Sequence, residues 1–213
     1  MCMWCAHMVK GDNRTSYERT LLANEAPFQK WLRGDKTAMT ANQKAGAKLF
    51  FGKALCSSCH NGPALNSMAF YALGMGDLQN GINGAIHIPA DNNQKGRGDF
   101  TKADSDMFKF KVPQLYNLKD VKFYGHGSTF SSISDVVHYI NNAILQNSSV
   151  PVSNLPAQFK PLNLTEDEMS QIVAFIEDAL RDPNLIRYEP ATVPSGNCIP
   201  NNDKRSRIDR GCQ

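Results

Sequence analysis

Apolar residues recur at helical spacing in four stretches of the chain, and polar start signals precede them. Thr15-x-x-Glu18 opens the first, carrying Tyr17, Leu21 and Leu22 until Pro27 stops it. Phe28, Trp31 and Leu32 predict a short second helix closed by Gly34. Thr40-x-x-Gln43 opens a third, which delivers Leu49, Phe50 and Phe51 to a cysteine motif. Thr165-x-x-Glu168 starts the clearest; Met169, Ile172, Val173, Ile176 and Leu180 mark its buried face, and Pro183 ends it.

A further stripe runs from Ser132 to about Leu145. Ile133, Val136, Val137, Ile140 and Ile144 line one face at about 100° per residue, and His138 projects away from it as a solvated side chain. Residues 61–130 behave differently. Gly, Asn, Asp and Pro are dense there, and neither the helical nor the strand period persists. Long irregular stretches are unusual in a packed domain unless they wrap something large.

Composition adds only exclusions. The chain has 213 residues, 41% hydrophobic and 20% charged, ordinary values for a globular protein. A formal charge of +3 from 23 basic and 20 acidic residues gives no basic surface for nucleic acid. No apolar run approaches the roughly 18 residues of a transmembrane segment. The start, MCMWCAHMVK, is not an intact signal peptide.

Candidate chemistry sits in Cys56-Ser57-Ser58-Cys59-His60. Two thiols three residues apart share one helical turn and can add to the two vinyl groups of a haem, and the next histidine can turn under the iron. Zinc would need two more ligands; Cys2 and Cys5 could supply them, but across roughly 50 residues, far beyond the usual spacing. A haem explains His60 and the irregular stretch together. The expected fold class is therefore all-α, a cytochrome c-like haem domain with long irregular loops and a disulfide-closed C-terminal tail. Cys198 and Cys212 are expected to form that disulfide, and the cysteine pairs suggest an oxidising compartment. Cys2-x-x-Cys5-Ala6-His7 places its histidine one residue too far for a second attachment site. The expected organisation is an N-terminal extension or added residues (1–13), a haem domain (14–187) and a polar tail (188–213). Amides and carboxylates between Cys198 and Cys212 make calcium a second candidate cofactor, without the regular ligand spacing of a strong loop.

With a haem in view, "SYERTLLANEAPFQKWLRGD", "LFFGKALCSSCHNGPAL", "GRGDFTKADSDMFKFKVPQLYNL" and "FYGHGSTFSSISDVVHYIN" acquire a common context. In this order they resemble the C-terminal, electron-accepting haem domain of the bacterial dihaem cytochrome c peroxidase/MauG family. The resemblance implies that Cys56 and Cys59 attach the haem and His60 is its proximal ligand. It also implies that Arg97, Lys111, Pro113, Asn117 and His126 surround the group, several as donors to its propionates. His126 is the candidate acid–base residue.

Three departures follow. The family's usual Arg before Asn117 is Tyr116 here, and its calcium-associated Thr-x-Pro is Val121-Lys122-Phe123. Ile140 stands where relatives present Met or Tyr to the iron. Any sixth ligand then comes from the loops, where Met107 is favoured over Met68 and Met75. The implied function is electron transfer in a peroxide-reducing dihaem system in the periplasm, or otherwise exported, with a redox partner or second haem domain. Whether the chain is itself an enzyme stays open, because it carries a single CxxCH. A monohaem carrier without peroxidase activity is the alternative, and a zinc-stabilised interaction module the remote one.

Overall fold

The computed structural model describes residues 23–77 and 94–185, of which 23–184 form one compact body. Helix α1 (Pro27–Leu32) has proline at its start, where a missing N–H costs nothing, and Gly34 follows it with φ +112°. Helix α2 (Ala41–Phe50) begins at the expected capping box. The Thr40 hydroxyl accepts from Gln43 N, and the Gln43 side chain accepts from Thr40 N at 2.9 Å. Helix α3 (Arg97–Thr101) is a short piece in the middle of the chain. Helix α4 (Ile133–Asn142) is capped by Ser132 with Asp135, and helix α5 (Glu166–Ala174) by Thr165 with Glu168. A π-helical turn, Phe175–Ala179, continues α5. The N-terminal helix expected around Thr15–Glu18 lies outside the described residues.

The core is where α2, α5 and the π turn meet. Phe50 and Phe175 are fully buried with ring centroids 5.3 Å apart, and Phe28 meets Phe175 edge-on at 5.1 Å. Burying such a ring contributes about 2–3 kcal/mol. Gly46 permits the approach: a Cβ there would penetrate the Gln171 carbonyl and come within 3.0 Å of Phe175 Cβ. At the edge of this core, the buried Asp182 carboxylate accepts from Asn24 N (2.8 Å), Glu25 N (2.9 Å) and Asn184 N (2.8 Å).

The expected fold class needs two corrections. The described loops are not uniformly irregular: Phe70–Tyr71 (β1) and Phe110–Lys111 (β2) pair antiparallel, Phe70 opposite Lys111 and Tyr71 opposite Phe110. Two-residue strands are too short to show a period. Helix α3 and short 3-10 turns, including Asp104–Asp106 and Leu118–Asp120, divide the rest. The disulfide-closed tail is withdrawn as well. No disulfide is found among the described residues, where Cys56 and Cys59 are both free thiols. Cys198 and Cys212, and the proposed tail calcium ligands, lie outside the described residues. Helix α4 also ends earlier than its stripe suggests: Ala143 adopts a left-handed conformation (φ 51°), leaving Ile144 71% exposed. No described helix is long and apolar enough to cross a membrane.

Candidate haem site

Helix α2 runs directly into the cysteine motif. Leu55 takes a left-handed conformation (φ 55°), at a steric cost of about 1–2 kcal/mol for an L-residue. It turns the chain so that Cys56–Ser58 forms one tight helical turn. His60 N and Cys59 N both donate to the Cys56 carbonyl, at 2.9 and 3.2 Å. Both thiols and the His60 ring thereby reach the wall of one cavity of about 610 Å³. That volume lies within the range for cofactor pockets.

The cavity is mainly apolar. Leu73, Met75, Phe108, Val112 and Leu115 come from the loops, Phe110 from β2, Val136, Val137 and Ile140 from α4, and Ile172 and Ile176 from the C-terminal helix. The His60 Nδ1 lies 3.1 Å from the Leu65 carbonyl, an acceptor, so Nδ1 carries the proton and Nε2 keeps its lone pair. Burial pushes the His60 pKa below its ordinary value, opposed by the carbonyls of Leu65 and Pro113. A neutral imidazole with a bare Nε2 is a metal ligand in waiting. Burial pushes the Cys56 thiol up to about 12. Among the described residues no group of three or more His, Cys, Asp or Glu is placed to hold a metal ion. The donor set and the apolar volume therefore fit a haem, a large apolar disc with one imidazole ligand and two thioether links.

On the same wall His126 stacks on Phe110, centroids 3.7 Å apart and planes within 10°. Its Nε2 lies 2.9 Å from Oδ1 of Asp77, a carboxylate only 2% exposed. Asn147 Nδ2 donates to the other Asp77 oxygen at 3.3 Å.

Comparison with known proteins agrees with this geometry. A cytochrome-c peroxidase, IdrP1, of Denitromonas iodatirespirans is 33% identical over 195 residues, covering 82% of this chain and 50% of that protein. The methylamine utilization protein MauG of Methylorubrum extorquens is 32% identical over 174 residues, covering 80% of this chain and 44% of its own. The chain belongs to the bacterial dihaem cytochrome c peroxidase/MauG family. The crystal structure of a MauG-like protein associated with microbial copper homeostasis shares the fold, with a TM-score of 0.63 at 23% identity, over 78% of this chain and 50% of that one. No family model matches the chain. The chain spans about half the length of the curated relatives it matches. Membership implies a c-type haem cofactor and a general electron-transferring role.

Against the dihaem peroxidase pattern, the structure brings together Cys56, Cys59, His60, Lys111, Pro113 and His126 on the cavity wall. Lys111 Nζ meanwhile donates to the Val112 carbonyl at 3.2 Å. Three other expected residues are elsewhere. Arg97 pairs with Asp106 (2.9 Å) and lies over the Phe70 ring, away from the lining. Asn117 clasps the Asp182 backbone, its amide donating to the carbonyl at 3.2 Å and its oxygen accepting from Asp182 N at 2.9 Å.

Met107, the favoured distal ligand, packs on Gly98 instead; a Cβ on that glycine would come within 2.6 Å of the sulfur. It does not line the cavity, Met68 is 65% exposed, and Met75 is the methionine on the wall. Ile140 lines the cavity and is partly buried, and its neighbour Tyr139 is buried, its hydroxyl donating to the Leu73 carbonyl at 2.6 Å. Tyr116 is buried in the helical core, so an Arg there would not simply add a charge to this cavity. Asp77 and Asn147 were missed by sequence reasoning. Neither belongs to a motif, and their meeting depends on a contact across 70 positions.

Proposed function

We propose that the chain is a c-type haem domain that transfers single electrons in a peroxide-reducing dihaem system. Cys56 and Cys59 bind the haem covalently, His60 Nε2 ligates its iron, and the apolar wall excludes water from it. When bound, the haem supplies one-electron exchange at iron. Lys111 is the cationic side chain on the cavity wall available to its propionates, His126 lies on the same wall, and α4 contributes no ligand because isoleucine occupies position 140. The observation that carries the reading is the CxxCH turn on the cavity wall, with the Leu65 carbonyl fixing the His60 tautomer.

The haem domain is taken as residues 14–187, and an exported, periplasmic location is part of the proposal. The alternative reading is a monohaem carrier that reduces no peroxide alone. A pyridine haemochrome spectrum with an intact mass tests the first claim: one haem bound through both cysteines is expected, and a colourless folded protein rejects it. Peroxide turnover by this chain alone, compared with turnover beside a second haem domain, separates the readings.

A further inference from the structure

Asp77 lies deeper than a haem contact requires. A carboxylate 2% exposed must be compensated by hydrogen bonds or an opposite charge. Its partners are His126 Nε2 at 2.9 Å and Asn147 Nδ2 at 3.3 Å. An ionised carboxylate only accepts, so Nε2 carries a hydrogen and donates it. The stacked Phe110 ring fixes the imidazole plane. Nδ1 then has no protein partner among the described residues and is free to take a proton. The imidazolium so formed is neutralised by Asp77.

Few other groups compete for that role. Of the segments packed on the ring, 74–77 contributes Asp77, β2 and its flank contribute Lys109 and Lys111, and 145–150 contributes Asn147 but no charged residue. Among the described residues, the cavity is otherwise lined by the ionisable Cys56, Cys59, His60, Tyr71, Lys111 and Tyr124, and by no carboxylate.

We propose that Asp77 and His126 form a redox-linked proton site: His126 Nδ1 takes up one proton when a haem in this cavity gains one electron. The inference rests on the haem-binding reading above. The electron comes from a one-electron donor protein, or a chemical reductant in vitro, and the proton from bulk solvent. No bond to iron forms or breaks. Ferric haem, one electron, one proton and neutral His126 become ferrous haem and imidazolium, and oxidation reverses the exchange. An electron added to an enclosed apolar site attracts a neighbouring positive charge strongly, because little water screens it. His126 carries the proton; Asp77 is a positioning residue that also supplies the counter-charge.

The test is a redox titration of the haem-loaded protein between about pH 5 and about 9, the range in which histidine ordinarily changes its charge. A pyridine haemochrome of each preparation is run first; its failure rejects the haem reading rather than this inference. In the wild type the midpoint potential should fall with rising pH, approaching 59 mV per pH unit for one proton per electron. His126→Gln should be flat across that window, and Asp77→Asn should move the dependence to lower pH. A pH-independent wild-type potential, or a wild-type slope retained in His126→Gln, overturns the proposal. A dependence that stays at the wild-type pH in Asp77→Asn overturns the role of Asp77. Should a variant fail to hold haem, the His126 ring signals of the wild type answer by NMR. Its protonation must extend to higher pH in the ferrous than in the ferric protein, and identical titrations overturn the proposal.

Discussion

The two sides of the molecule are built by different rules. On one side α2, α5 and the π turn meet through Gly46, Phe50, Ile172 and Phe175, and apolar side chains fill the space between them. On the other, loops and the face of α4 surround about 610 Å³ that no side chain occupies. The helical side is a core closed by its own side chains, and the loop side is a wall shaped around an apolar hollow.

The sharpest way to break this comparison is to remove the ligand's anchors. Cys56→Ala with Cys59→Ala should abolish covalent haem and lower the thermal midpoint sharply, since binding contributes to stability by mass action and the wall loses its occupant. Hydrogen exchange should rise in the loops around β1 and β2 well before it rises in α2 and α5. A colourless double variant as stable as the holoprotein would end the distinction between the two sides.

The next effect concerns the haem's other face. Ile140 lines the cavity and stands where relatives present Met or Tyr. Ile140→Met should convert a ligand-accessible, high-spin spectrum to a six-coordinate, methionine-type one, and raise the potential. Met107→Ala should leave the spectrum unchanged, because that sulfur packs on Gly98. The reverse pattern would restore Met107 as the ligand.

The two sides also differ in how far they could be read from the chain. Thr40 and Thr165 announce their helices because capping is a local interaction over three residues, and the stripes of α4 and α5 follow from helical geometry. The CxxCH turn is equally local, so Cys56, Cys59 and His60 were legible. The contacts behind the cavity wall were not. Asp77, His126 and Asn147 meet only through long-range contacts, and Arg97 and Met107 were drawn off by Asp106 and Gly98, partners that no motif announces. Gly46 could have been suspected from a glycine inside a helical stripe, but its contact with Gln171 required the fold.

A core substitution tests the filled side alone. Phe175 is completely buried against Phe28, Phe50 and Phe51. Phe175→Ala should cost about 3–5 kcal/mol in denaturant unfolding while covalent haem still forms. A loss below about 1 kcal/mol would mean that the helical side is not the stabilising half.

A smaller effect is expected at Asp182. Burial alone would raise its pKa, but the backbone N–H groups of Glu25, Asn24 and Asn184, with the Lys30 charge, outweigh burial and hold it below the usual value. A depressed carboxyl stabilises the fold above its unfolded pKa, about 3.9, and that contribution is lost as pH falls through the folded value. Asp182→Asn should cost roughly 1–3 kcal/mol near neutral pH. The difference from wild type should close in acid, and a gap independent of pH would show that charge is not the cause.

The smallest effect separates the two histidines that sequence reasoning set apart. His138 bonds Ser134 O at 2.8 Å and Glu166 at 3.1 Å on the outer face of α4, away from the cavity. Its pKa is raised, chiefly by the Ser134 carbonyl, with burial opposing and Glu166 assisting. A raised histidine stabilises fully below its unfolded pKa, about 6.5, and loses that contribution as pH rises through the folded value. The side chain is 41% exposed and its Glu166 partner 81%, so solvent screens the pair and the contribution stays below about 0.5 kcal/mol. His138→Ala should thus shift stability slightly near pH 6, negligibly near pH 9, and leave the haem potential and its pH dependence untouched. If removing His138 flattened that dependence as removing His126 should, proton linkage would belong to the charge of the whole domain and not to the cavity wall.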